Sequence, residues 1–490
     1  MIQVSRFFCT SELLLYGLTV TFRGERAFRR ERDTLGEVEV PADALWGAQT
    51  QRAIQNYPIS GYRAFPAFIR AFVRIKRAAA LANAQAGRLD ARKTNAIVAA
   101  CDEVLAGKHL DQFVVDVFHS GAGVSFHMNV NEVLANRANQ ILGGGLGTYE
   151  HVNPNDDVNM AQSTNDTTPT AMRLAALELT KPLCEELDRL ADAFAEKAER
   201  YAQHVKPGRT HLQDAVPITF GQEFSGWAER VRGAAARLRA GRMELSELGI
   251  GGSAAGTGLN VDAEFGKRVC EMLAEWYGEP IVRAKNLFYA MQSMAPFVRV
   301  SSGMRTAAIE VSSICNDIRL LVSGPRTGFG EISIPAVQPG SSIMPGKVNP
   351  AIAEMVNQVC FQVIGNDTTV AWGAQAGQLE LNVMMPGINF AVLFSATILT
   401  NAVRVLREKT IAGLTVDEGR AKELMDMSPS LIVTALSPHI GYAKAASLVK
   451  RALAERRSLM DVALEEKVAS EADLRRMLDP LPMTRGGVQK

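Results

Sequence analysis

The sequence predicts a mainly all-α protein built around a central bundle of long helices. Three observations carry this reading. After Asp166, the residues Leu183, Leu187, Leu190, Phe194, Ala198, Tyr201 and Val205 recur at steps of three and four, with Glu, Asp, Lys and Arg on the other face. That is one continuous helical stripe. The same period returns in Phe220, Phe224, Trp227, Val231, Ala234 and Leu238, and again in Met304, Ala308, Val311, Cys315, Ile318 and Val322. No βαβ alternation, internal repeat or low-complexity tract interrupts it. Helical propensity alone does not hold exposed apolar stripes of this length in water. Several such helices joined by loops therefore imply a bundle, and the broader stripes leave room for helices from other subunits.

Taken in order, residues 1–32 read as a disordered leader. Its apolar run Leu13–Phe22 precedes the arginine-rich Arg23–Arg32, which is the reverse of a signal peptide. Regular sequence begins near Asp33. Residues 33–161 form an N-terminal domain mixing loops with helices at Ala67–Ala86 and Lys93–Leu105. Residues 162–410 form the central bundle. Its first helix is kinked by Pro182 and stopped by Pro207-Gly208, and its third ends at Gly324-Pro325. Helices from Glu354 to about Asn382 and from Pro386 to about Lys409 complete it. Residues 411–490 form a small C-terminal helical domain.

Of the 490 residues, 47% are hydrophobic and 21% charged, and 53 basic against 52 acidic side chains give a net charge of +1. Nothing in that balance points to nucleic acid or a membrane surface. No uninterrupted apolar stretch reaches bilayer length. The six cysteines, Cys9, Cys101, Cys184, Cys270, Cys315 and Cys360, form no CxxC pair or zinc spacing and read as reduced thiols of a cytoplasmic protein. Seven histidines without an HExxH-type cluster give no reason to expect a metal. Gly143–Gly147 and Gly249–Gly258 lack a strand before and a helix after, so they are turns rather than nucleotide loops.

Four segments are dense in small hydrogen-bonding residues at helix edges: Ser120–Glu132 (SGAGVSFHMNVNE), Asn153–Asp166 (NPNDDVNMAQSTND), Gly208–Asp214 (GRTHLQD) and Gly340–Pro350 (GSSIMPGKVNP). Asp166 or Thr167 suits the cap of the helix that follows, with Pro169 in its first turn. A cap does not explain Ser163, Thr164 and Asn165 together, whereas an anion seat at a helix start does. Thr210-His211 lies in a loop between two long helices, where Asp214 is placed to fix the histidine tautomer. In the fourth segment, Gly340 precedes Ser341-Ser342, Lys347 supplies a cation and Asn349 an amide, and two prolines exclude helix. A surface loop does not need that grouping. A loop closing over a carboxylate substrate does.

GSSIMPGKVNP resembles the signature of the fumarase/aspartase superfamily, and the other three segments match in order. The likeness spans about Arg32 to about Pro480. It is greatest to the branch holding class II fumarases and aspartate ammonia-lyases. Val356–Val383 and the wording Ser163-Thr164-Asn165 are similar to the ammonia-lyases. The resemblance implies a three-domain fold, a homotetramer with a twenty-helix core, and active sites each shared by three subunits. It implies a small dicarboxylate substrate and no cofactor, with elimination of ammonia from L-aspartate to give fumarate. Ser341 would be the base. Lys347, Asn349, Ser342, Thr210 and His211 would surround the reacting carboxylate, and Ser163, Thr164 and Asn165 would hold the other carboxylate and the amine. Glu354 would support His211. Val124 stands where this branch generally has a substrate-touching threonine, and Asn153 replaces a histidine of an accessory anion site. The alternatives are a class II fumarate hydratase, an ammonia-lyase for a related amino acid, and a non-catalytic structural relative.

Overall fold

A computed structural model describes residues 27–487 and shows a predominantly helical chain. Strands β1 (Phe28–Asp33) and β2 (Gly36–Pro41) form an antiparallel hairpin. Helices α1 (Ala48–Asn56), α2 (Pro66–Gln85), α3 (Ala91–Leu105) and α4 (Val124–Ile141) follow, then the long α5 (Thr164–Arg200). A second hairpin, β3 (Val205–Thr210) and β4 (Gln213–Thr219), precedes α6 (Phe220–Met243). Then come α7 (Phe265–Tyr277), α8 (Leu287–Gln292), α9 (Ala295–Leu321), α10 (Ala351–Gln375) and α11 (Met385–Leu406). Shorter helices from Glu418–Met427 onward close the chain.

The chain divides into two compact units. One contains the described residues up to Glu178 with Glu244–Phe297 and Thr369–Leu393, and the other contains Leu179–Met243, Val298–Thr368 and the residues from Phe394 on. In the first unit α2 meets α4 through an aromatic cluster, with ring centroids 5.1 Å apart for Phe68–Phe126 and 5.4 Å for Phe72–Phe126. In the second, the predicted stripes are core. Leu183, Leu187, Leu190 and Phe194 of α5, Phe220, Phe224, Trp227 and Val231 of α6, and Met304, Ala308, Val311, Cys315 and Ile318 of α9 are all buried. Each buried leucine, isoleucine, valine, phenylalanine or methionine among them contributes about 1.5–3 kcal/mol of transfer free energy. The C-terminal helices keep a core of their own, including Leu436, Leu448, Leu459, Val462 and Leu474.

Several expectations are corrected. Regular structure starts before Asp33, because β1 alternates: Arg29 and Glu31 turn inward and bond each other while Arg30 and Arg32 face out. The remainder of the expected leader, and Cys9, lie outside the described residues. The first long helix ends at Arg200, not Pro207, and GRTHLQD is a hairpin rather than a loop. α5 runs through Pro182, which is exposed. α10 ends at Gln375, and Asn382 closes the following turn by donating to the carbonyls of Gly373 and Ala374. Met385–Ile411 is long and apolar enough to cross a bilayer, contrary to the sequence estimate, and 56% of its apolar window is buried inside the protein. The five described cysteines are free and buried.

Candidate active site

The first and second segments lie in the same unit and meet. At the start of α5, Ser163 caps the helix: its Oγ accepts from Asn165 N at 3.2 Å, and its own N–H donates to Asp166 Oδ1 at 2.9 Å. The arrangement resembles a capping box, with the serine on the second amide and Asp166 reaching back from the third position, so Asp166 is not the cap predicted for it. The other oxygen of Asp166 accepts from Gly251 N (3.0 Å) and Ser253 N (2.9 Å), fastening Gly249–Gly258 to the helix start. Burial outweighs these donors and pushes the Asp166 carboxyl up to about 6. Asn165 donates to Ala254 O at 2.8 Å. Thr164 Oγ1 lies 2.7 Å from His127 Nδ1 of α4, which joins the two segments.

Around them, Ala122 and Gly123 adopt positive φ, and Ala122 N donates to Val383 O at 3.1 Å. Val124, the first residue of α4, is exposed. Glu132 serves structure: its carboxylate accepts from the N–H groups of Gly47, Gln49 and Thr50 at the start of α1. Asn153 caps the turn Pro154–Val158, accepting from Asn155 N and Asp156 N.

The third and fourth segments lie in the other unit. His211 and Leu212 form the two-residue turn between β3 and β4, closed by the pair Thr210 and Gln213, with φ of 57° at His211 and 58° at Leu212. Such a turn normally uses glycine or asparagine. Two bulky side chains are instead held there and exposed, a strained conformation for residues other than glycine or asparagine. The hairpin is braced from beneath. Glu331 is fully buried and accepts from Arg209 at 2.8 Å, and Lys206 lies 3.6 Å from it and donates to Glu223 at 2.8 Å. Burial, ahead of the opposing Lys206 charge, raises the Glu223 carboxyl. Gly208 sits at a register shift of the ladder, where a side chain would strike Val216 O. Among the described residues, neither Asp214 nor Glu354 is hydrogen-bonded to His211 within one chain.

Gly340–Pro350 is a closed loop. Gly340 N donates to Lys347 O at 2.8 Å, and Asn349 Nδ2 donates to Gly340 O at 2.7 Å. A side chain at Gly340 would collide with Lys347 O. Within the loop, Ser341 Oγ accepts from Ile343 N at 3.3 Å and Met344 N at 3.0 Å. Ser342 and Lys347 are exposed, and Lys347 makes no ion pair among the described residues. Two amide donors on a serine oxygen, with an unpaired ammonium in the same loop, favour negative charge there.

The family described as "Lyase" matches residues 36–365, and that described as "Fumarase C C-terminus" matches residues 432–485. The chain belongs to the fumarase/aspartase superfamily. It is 44% identical over 465 residues to an aspartate ammonia-lyase of Bacillus subtilis, spanning 95% of this chain and 98% of that protein. It is 47% identical over 437 residues to a class II fumarate hydratase of Ralstonia nicotianae, spanning 89% and 95%. A solved fumarate lyase:delta crystallin from Brucella melitensis, described as bound to cobalt, superposes with a TM-score of 0.90 at 46% identity, covering 94% of this chain and all of that one. Membership in this superfamily makes the chain a lyase, with a small dicarboxylate as substrate class.

Lys76, Lys206 and Glu331 lie outside the four segments, and His127 lies within the first of them without a role assigned from sequence. Lys76 left a faint trace, a cation on the apolar face of an alanine-rich helix. Glu331 left none, because its partner Arg209 is distant in sequence.

Proposed function

We propose that this superfamily member is an aspartate ammonia-lyase, reversibly eliminating ammonia from L-aspartate to give fumarate. The observation that carries the chemistry is the Ser341 oxygen receiving two loop amides beside the unpaired Lys347. A free serine hydroxyl is far too weak a base for a carbon acid. Amide donors and the cation of the same loop favour its alkoxide once the loop closes over substrate and excludes water. Ser341 removes a proton from C3, and the electron pair moves into the adjacent carboxylate. Lys347, Asn349, Ser342, Thr210 and His211 stabilise the resulting aci-carboxylate. Collapse forms the C2–C3 double bond and expels ammonia. Ser163, Thr164 and Asn165 hold the second carboxylate and the amine. The electron sink is the substrate's own carboxylate, so no cofactor enters the scheme.

The sites are completed between subunits of a homotetramer. His211 and Glu354 are not bonded within one chain, and their pairing belongs to neighbouring protomers. The choice of ammonia is supported by the similarity of Val356–Val383 and Ser163–Asn165 to ammonia-lyases, and by the relative of that name spanning 95% of the chain. The comparably similar fumarate hydratase favours a second reading, with water as the leaving group. Offering L-aspartate and L-malate separately and following fumarate by ultraviolet absorbance separates the two. Release of fumarate from aspartate is expected, and turnover of malate alone would reverse the assignment.

A further inference from the structure

Lys76 of α2 is fully buried and makes no ion pair among the described residues. Its Nζ meets three groups instead: His127 Nε2 at 2.6 Å, Asn159 Oδ1 at 3.0 Å and Gln162 Oε1 at 2.9 Å. The two amides are held oxygen-first, because their N–H groups are engaged elsewhere. Gln162 donates to Val158 O and Met160 O, and Asn159 donates to Gln162 O. An ammonium has three hydrogens and no lone pair. With two hydrogens on the amide oxygens, the third points at His127 Nε2, which must accept. The remaining imidazole proton then sits on Nδ1 and is donated to Thr164 Oγ1, 2.7 Å away. That bond occupies a lone pair of the hydroxyl and leaves its hydrogen to point elsewhere. The His127 ring is itself buried and packs on Phe72, with centroids 5.6 Å apart, so it has little freedom to invert.

We propose that Lys76 and His127 form a buried relay that fixes the Thr164 hydroxyl as a hydrogen-bond donor to the substrate, making both of them positioning residues of the lyase site. This rests on the reading that Thr164 holds a substrate carboxylate. A carboxylate only accepts, so a hydroxyl turned outward as a donor matches it, whereas one free to rotate loses part of the interaction. Burial holds the Lys76 ammonium well below the usual lysine range, and the nearby buried Asp166 opposes that shift in part. An uncharged Lys76 would reverse every bond in the chain and draw the Thr164 hydrogen inward.

The test uses the full-length enzyme, the substrate it turns over, and succinate as a competitive dicarboxylate. His127→Leu and Lys76→Met are each expected to raise KM and the succinate Ki about tenfold, with kcat within about twofold. His127→Asn keeps an N–H near the Nδ1 position and is expected to hold KM within about twofold of wild type. Thr164→Val raises KM, and adding His127→Leu to it brings no further rise. A folded His127→Leu enzyme with wild-type KM, an additive double variant, or a folded His127→Asn enzyme with raised KM overturns the relay. If Thr164→Val leaves KM unchanged, the carboxylate is not at Thr164, and that reading falls together with the relay. Should His127→Leu fail to fold, His127→Asn and Lys76→Met decide on the same criteria.

Discussion

At the scale of single residues, Ser341 carries the heaviest demand. Its Oγ is held by the amides of Ile343 and Met344 before any substrate arrives, so the stabilisation is preorganised. Replacing it with alanine removes the proposed proton acceptor and leaves the loop closures at Gly340 intact. Ser341→Ala is therefore expected to lower kcat by about a thousandfold with KM little changed, measured by fumarate absorbance. Near-normal turnover would take Ser341 out of the base role. The residue types of this loop were legible in sequence. The two amides were not, because they depend on how the loop folds back on itself.

At the scale of elements, two short pieces of secondary structure position the candidate site. The β3–β4 hairpin presents Thr210 and His211 and stands on Glu331, which pairs with Arg209 and shares Lys206 with Glu223 beneath it. Glu331→Ala leaves two cations without that partner in a buried place, and a loss of about 3–5 kcal/mol in urea unfolding is expected. A loss below about 1 kcal/mol would show that the brace is not needed. The start of α5 depends on Asp166. Its carboxyl sits near 6 in the folded chain against 3.8 unfolded, so the stability linked to it is full below about pH 3.8 and is lost as pH rises through 6. Relative to the pH-silent Asp166→Asn variant, wild type should lose on the order of 3 kcal/mol across that window. A difference that stays flat from pH 4 to 7 would contradict the raised carboxyl. In sequence the capping residues are visible, but not which of them takes the cap: Ser163 holds it, ahead of the expected Asp166 or Thr167. Helix starts are set by which side chain reaches which N–H, and several neighbours qualify on composition alone.

At the scale of the whole molecule, the long helices keep apolar surface that the single chain does not cover. Phe361 and Trp372 of α10 are 62% and 70% exposed, and Ile309 of α9 is exposed as well. Surfaces of this kind in a bundle call for further helices, consistent with the proposed homotetramer. If each site draws residues from several protomers, two inactive variants with lesions in different segments complement one another. Mixing Ser341→Ala with Asn165→Ala subunits, unfolding and refolding them together, should restore a measurable part of wild-type activity. Activity no higher than the sum of the separately refolded variants would place each site within one protomer.

The sequence by itself determined the helical class, the three long stripes, the superfamily and the residue types of the candidate site. Each of these rests on local periodicity or on a contiguous motif, which survives without knowledge of the fold. Tertiary structure decided the β3–β4 hairpin, the inward pairing of Arg29 with Glu31, and the burial of Lys76 against His127 and of Glu331 against Arg209. Those depend on partners from two positions away, in a strand read as leader, to more than a hundred. Whether a charged side chain is solvated or paired in the interior is settled by its surroundings, which composition does not encode.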